Sequence, residues 1–386
     1  MLKKFELILM FFVICGSNFF LQSYGYGSYS AYLLLPLTFL YFFFQNKFQI
    51  RYNNFLVLIL ILFIWGCISS IFGINYEMSL AVQRRLLLVL IYIYIIFYYG
   101  NKSFKNIQNI FILHNLTIYL VFGYIFSFDV MLDINSNFRL TFDDYTDYGL
   151  NANTYGYFAF TAIASSFNLY NLKSTTFRFL NYIITSVLGI YIVILSASRG
   201  GALVLALLLM STIILLSFYK SGGNKTTKTF TIFISSILIL FLIIQLLIFS
   251  QESFLYARII DQDIRYDARI LHFLNGIKIG FSNFFLGVGG GNYSLIPNTF
   301  DPDGFSHNSF IEAFANYGVF GLIIYSAFIK ELFTKPHSLK NTYFWKSYLA
   351  VLLCFIAYNF LYVTYLSNLF MGFILSQYLM IKKIDT

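Results

Sequence analysis

Apolar runs of bilayer-crossing length recur along the whole chain, separated by short polar turns. They do not alternate with period two, which excludes the strands of a membrane barrel. A helix needs roughly 20 apolar residues to cross, so the pattern predicts about 12 spans. They lie near 5–22, 29–45, 54–73, 86–100, 109–128, 154–170, 179–197, 200–218, 230–250, 316–331, 347–365 and 367–381. The runs near 86–100 and 367–381 are short and predict tilted or partly interfacial helices. Two polar intervals interrupt the pattern. The smaller is 129–153, DVMLDINSNFRLTFDDYTDYGLNAN. The larger is 251–315, between the ninth and tenth spans, and within it begins the stretch from Arg258 to Gly321, where arginines, aspartates, glycines and one histidine gather.

Composition supports the same class. Residues are 59% hydrophobic and only 11% charged, against about 25% charged in a soluble domain. The expectation is an all-α, polytopic integral membrane protein, one membrane domain over 1–386, with no soluble domain or internal repeat. Cys15, Cys67 and Cys354 fall inside apolar runs without disulfide or metal spacing. The first run follows Lys3 and Lys4, and Ile14 before Cys15 does not suit a lipoprotein signal. It reads as a retained signal-anchor helix.

The net charge of +9 would suit a nucleic-acid partner if it formed one basic face. It does not. Basic residues collect in alternate short loops, at Lys3, Lys4, Lys47, Arg51, Lys102, Lys105, Lys173 and Arg178, then Lys220, Lys225, Lys228, Lys330, Lys335, Lys340, Lys346, Lys382 and Lys383. That is the positive-inside pattern, and it predicts both termini on the cytoplasmic side. The outer side keeps Arg84, Arg85, Arg139, Arg199, Arg258, Arg265, Arg269 and Lys278, together with most of the 16 acids. Topology needs only positive charge, so the preference for arginine outside asks for another cause. A guanidinium makes forked contacts with phosphate.

The candidate chemistry lies on that outer side. His307 and Asn308 precede nine residues and then Gly318-x-x-Gly321. At an outer helix end, a neutral imidazole can take a proton from a sugar hydroxyl. The plain alternative is an interfacial histidine on a helix with packing glycines. Arg199, in LSASRGGALVLAL, sits between two apolar runs with almost no loop. A charge so close to hydrocarbon is costly unless paired or functional, and its Ser and Gly neighbours leave backbone N–H groups open to an anion. Otherwise it is a snorkelling arginine.

Arg258, Arg265 and Arg269 would share one helix face, as a salt-bridge ladder with Asp261 or as a diphosphate clamp. Arg269 is the preferred phosphate ligand, because LGVGGGNY at 286–293 would let backbone approach a bound molecule. Arg139 is a further basic candidate. Nearby Asp143, Asp144 and Asp147 read as a solvated acidic loop in preference to a cation site. Glu312, five residues after His307, would orient the site.

These features in this order resemble the O-antigen ligase and polymerase family of bacterial envelopes. The resemblance spans roughly 130–330. It rests on Arg139 with Asn151-Ala152-Asn153, on the S-x-S-R-G-G turn at Ser196–Gly201, on Arg269 followed by FFLGVGGGNY, and on the His307-Asn308 motif, with Leu322 where a small or β-branched residue is usual. It implies a GT-C-like, metal-independent glycosyltransferase without a cofactor in the bacterial cytoplasmic (inner) membrane. Its donor would be a glycan on undecaprenyl diphosphate, displayed on the extracytoplasmic leaflet. Arg199 and Arg269 would hold the leaving diphosphate, His307 would orient or deprotonate the acceptor hydroxyl, and Arg139, Arg265, Asn153, Asn308 and Glu312 would line the substrate.

A polymerase would pass the growing chain to the next lipid-linked repeat unit of O-antigen or capsule, alongside a flippase and a chain-length regulator. A ligase would pass it to lipid A-core in lipopolysaccharide or to another acceptor. The ligase-like histidine spacing favours the second. Arg269 with Gly280, an arginine and a glycine with ten residues between them, leans to the first, although Arg265 with Gly276 repeats that spacing. A flippase would show related halves and charges at mid-membrane, and the sequence shows neither.

If this assignment holds, Arg199→Ala, Arg269→Ala and His307→Ala each abolish long-chain glycan while the protein still inserts, and Arg269→Lys fails too. Normal glycan on a gel from all of the well-expressed alanine variants would overturn it.

Overall fold

The computed structural model describes residues 2–20, 30–47, 52–127, 152–196, 198–220, 268–296, 306, 308–334 and 343–385. Among them it contains twelve α-helices. Helix α1 (Leu2–Phe11) runs on as a π-helix (Phe12–Phe20), and a short π-helix (Ser30–Leu34) leads into α2 (Leu35–Gln45). Then come α3 (Asn54–Ile71), α4 (Tyr76–Lys102), α5 (Phe104–Ser127), α6 (Ala152–Leu172), α7 (Thr176–Leu195) and α8 (Arg199–Lys220). The remainder are α9 (Ala268–Ser282), α10 (Ser309–Leu332), α11 (Tyr343–Leu361) and α12 (Asn368–Asp385).

Seven of the helices are long and apolar enough to cross a membrane. The chain is a polytopic membrane protein. Two helices outside that group, α6 and α12, lie at its centre. Both are buried on every side over most of their length, from Tyr155 to Leu169 and from Leu369 to Ile381. Thr161, Ser165, Ser166 and Asn168 on α6, and Ser376 and Gln377 on α12, face protein. A helix shielded from lipid can carry such side chains, which is why its hydropathy is lower. The expected span near 367–381 is therefore a core helix and not an interfacial one. Around α12 pack α4, α5, α6 and α11. Outer faces present Leu, Ile and Phe, as on α7, where Phe177, Leu180, Ile184 and Val187 are exposed.

Helix starts follow local capping chemistry. Asn53 accepts from Leu56 N at 2.9 Å, Asn75 from Met78 N at 3.1 Å and Thr175 from Arg178 N at 3.3 Å. Each side-chain oxygen satisfies a first-turn N–H that has no carbonyl within its helix. Asn75 moves the start of α4 well ahead of the expected 86. The helix has 27 residues, and its first turns carry Glu77, Gln83, Arg84 and Arg85, which lower the hydropathy. Arg84 and Arg85 are exposed on this helix, not in a loop. The expected span near 230–250 lies outside the described residues.

The sharpest local feature is a break in α10. Gly318 has φ 69° and ψ −166°, which interrupts the helix inside a candidate span. Four of the groups at the break find partners elsewhere in the fold. Ala315 O accepts from Val288 N at 3.0 Å, and Asn316 O from Gly289 N at 2.9 Å. Tyr317 O accepts from the Trp65 indole at 2.8 Å, and Val319 N donates to Phe284 O at 2.7 Å. Non-helical backbone is tolerated at such depth only where protein replaces the missing bonds. The glycine run after α9 supplies half of this repair. Here it approaches another backbone, that of α10. Gly318 both breaks the helix and lets its backbone lie directly on that of Phe285.

Gly318→Ala would place a Cβ 2.3 Å from Phe285 O, in a conformation open essentially to glycine alone, whose strain costs about 1–3 kcal/mol. Thermal unfolding in detergent should show a clearly lowered Tm or little folded protein. A wild-type Tm would refute this account of the break.

Candidate functional site

The first half of the site is the tight turn between α7 and α8. Ser196 closes α7, with its N–H on Ile192 O at 2.9 Å. Ser198 opens α8. Its Oγ accepts from Gly201 N at 3.2 Å and its carbonyl accepts from Ala202 N at 2.9 Å. Arg199 is thus the first helical residue, half-buried, at the positive end of a 22-residue helix. A cation there opposes the helix dipole, which favours an anion at that end. The turn packs on the start of α6. Ser198 Oγ lies 3.4 Å from Asn153 Oδ1, and a Cβ on Gly156 would come within 3.3 Å of Gly201 Cα. Only small residues permit that crossing.

The second half is the start of α10. Asn308 caps it, accepting from Phe310 N at 3.0 Å and Ile311 N at 3.1 Å. Glu312 is buried in the first turn. Its carboxylate accepts from Ser306 N at 3.0 Å and from Asn316 Nδ2 at 2.8 Å. Ser306 Oγ in turn donates to Asn308 O at 2.9 Å. The residues on both sides of His307 in sequence are therefore pinned. Asn316 Oδ1 accepts from Tyr293 N at 3.1 Å, and the Tyr293 hydroxyl donates to His272 O on α9. Burial, and then the Glu312 carboxylate, push the Tyr293 phenol above its usual range.

A third segment joins the two halves. It is the turn between α11 and α12, which the sequence reading missed. Ser309 Oγ donates to Tyr362 O at 2.8 Å and accepts from Thr364 N at 2.9 Å. Tyr362 Oη lies 3.2 Å from Ser198 Oγ. Thr364 Oγ1 donates to Asn359 Oδ1 at 2.6 Å, and the Tyr325 hydroxyl donates to the same oxygen. The signal was the polar interruption in LYVTYLSN, between two runs read as almost continuous.

Asn153, Arg199, Asn308 and Glu312 are thus placed around one end of the bundle. Arg139, Arg258, Arg265 and His307 lie outside the described residues, as do Asp143, Asp144 and Asp147. Arg269 falls in the first turn of α9, where the backbone alone is described. The glycines that follow Arg265 and Arg269 after ten intervening residues have a packing cause. A Cβ on Gly276 would meet Ile311 at 2.4 Å, and one on Gly280 would meet Phe314 at 2.3 Å. They let α9 lie directly on α10.

Residues 184–326 match the family model described as O-antigen ligase. That stretch, less than half of the chain, is similar to the O-antigen ligase family. The matched stretch holds the Ser198-Arg199 turn, α8, α9, the glycine run and the start of α10 with its break. It is narrower than the resemblance over 130–330, and leaves Asn153 and Tyr362 outside. No curated protein matches the chain. The family acts on lipid-linked glycans as ligase or polymerase.

The geometry makes Asn308 a helix cap, and Ser caps about as well as Asn while Ala costs about 1 kcal/mol. Asn308→Ser should therefore keep glycan synthesis within about twofold of wild type, and Asn308→Ala should lose most of it. Equal loss in both variants would instead mean that the amide itself contacts substrate.

Proposed function

We propose that the chain is a membrane glycosyltransferase that polymerises undecaprenyl-diphosphate-linked repeat units of O-antigen or capsular polysaccharide on the outer leaflet of the cytoplasmic membrane. One observation carries the reading. Arg199 stands at the positive end of α8, beside the cap Ser198, and this turn is tied through Tyr362 to the start of α10, where the His307 motif lies. A helix start that carries a guanidinium favours an anion.

In the reaction, the bond from the anomeric carbon to diphosphate oxygen breaks. A new bond forms to an acceptor hydroxyl oxygen, whose proton passes to His307. The leaving diphosphate gains negative charge in the transition state, so fixed positive groups stabilise it most there. Arg199 and Arg269 would hold it, and Arg139 and Arg265 would contact donor or acceptor. The arginines supply the charge that a metal would otherwise bring. Glu312 acts on the loop before His307, because its carboxylate holds Ser306 N. Positive-inside charge supports both termini in the cytoplasm and this end of the bundle outside.

The second reading is a ligase that moves the finished glycan to lipid A-core or another acceptor. The ligase description of the matched domain favours it. Donor chemistry is the same in both, and only the acceptor differs.

A deletion strain separates them. One repeat unit attached to core on a glycan gel means a lost polymerase. Long chains stranded on undecaprenyl diphosphate mean a lost ligase. Unchanged surface glycan would overturn both readings.

A further inference from the structure

We propose that Tyr362 is a positioning residue for the transfer reaction: it sets the Arg199 turn against the start of α10 and acts through Ser198. This deepens the proposed function and rests on Arg199 holding the diphosphate. The two halves of the site belong to different helices, α8 and α10, and each packs on α11. At the end of α11 a single residue reaches both. The Tyr362 side chain meets Ser198 Oγ at 3.2 Å. Its main-chain oxygen takes the Ser309 hydroxyl at 2.8 Å. The fit leaves no slack, since a Cβ on Gly200 would lie 2.4 Å from Tyr362 Oη. The hydroxyl therefore rests on the residue that follows Arg199.

A pure packing role is the rival account. The Tyr362 ring is buried edge-on against Tyr157, with centroids 5.9 Å apart, and 5.7 Å from the Tyr358 ring. Phenylalanine would keep both ring contacts and the main-chain bond to Ser309. It would remove the hydroxyl's link to Ser198. Ser198 Oγ is also the α8 cap and a neighbour of Asn153. A loosened Ser198 lets the first turn of α8 shift, and misplacement of about 1 Å can cost about a hundredfold in rate.

The test uses the full-length protein in detergent or liposomes with a lipid-linked oligosaccharide donor. For Tyr362→Phe, kcat should fall about tenfold while donor KM stays within about twofold, because the lost alignment matters most as charge develops. Tm should stay at the wild-type value. Ser198→Ala should lose at least as much, and Tyr362→Phe should add nothing in that background, since residues acting through one contact are not additive. Unchanged kcat in Tyr362→Phe, or full additivity of the two losses, would overturn the proposal. Arg199→Ala is measured alongside. If it keeps activity, the diphosphate reading fails. If it is inactive while Tyr362→Phe is wild-type, only the role of Tyr362 fails.

Discussion

Backbone polar groups cannot be left to water inside a bilayer, and the break at Gly318 puts that constraint at the centre of this structure. Three carbonyls and one amide leave the α10 ladder there. Their partners come from the glycine run after α9 and from Trp65 on α3. Ser69 adds a hydroxyl 3.0 Å from Asn316 O. Three parts of the chain, distant in sequence, are therefore joined at one point. The cost of an unpaired group in hydrocarbon makes the join obligatory and not merely favourable. Because the break is held from two sides, the start of α10 has a fixed direction. Glu312 and Asn316 carry that order to Ser306 and Asn308.

The site that results is composite. One wall is a helix start with an arginine and small neighbours. Another is a helix start with a capped, carboxylate-braced loop. For the proposed transfer, leaving-group stabilisation and acceptor activation would come from different walls, since they act on opposite sides of the reacting carbon. Their separation is set by α11 and the turn at Tyr362–Thr364. The same logic appears deeper in the bundle. Asn115 donates to Thr185 at 2.8 Å and Asn181 donates to Asn115 at 3.1 Å, so α5 and α7 are locked in register by polar contacts in an apolar setting.

Much of the helical frame was legible from apolar length alone, since lipid exposure enforces it. The misreadings have a shared cause. The start of α4 was lost because Gln83 counts as polar in any hydropathy sum. In the fold it is buried, with its amide 3.2 Å from the Tyr317 hydroxyl. The core position of α12 was lost because Ser376 and Gln377 look interfacial until other helices cover them. Arg199 and Asn308 stood out because a charge or cap beside hydrocarbon needs a reason. Tyr362 did not, being one of 32 tyrosines whose role depends on a neighbour 164 positions away. Glycines announced close approach at 286–291 but not the partner, which is the α10 backbone.

The enclosed position of α12 also has a bearing on biogenesis. Chains enter the membrane in order, so α1 to α11 must be in place before the helix they surround arrives. Until then α4, α5 and α6 face one another across a gap meant for Phe370, Phe373 and Leu375, which are buried in the finished bundle. The turn carrying Tyr362 and Thr364 is anchored on its far side only when α12 inserts. Assembly of the site is thereby made the closing step of folding. A partly inserted chain would hold the starts of α8 and α10 yet lack the contact through Tyr362 that spaces them.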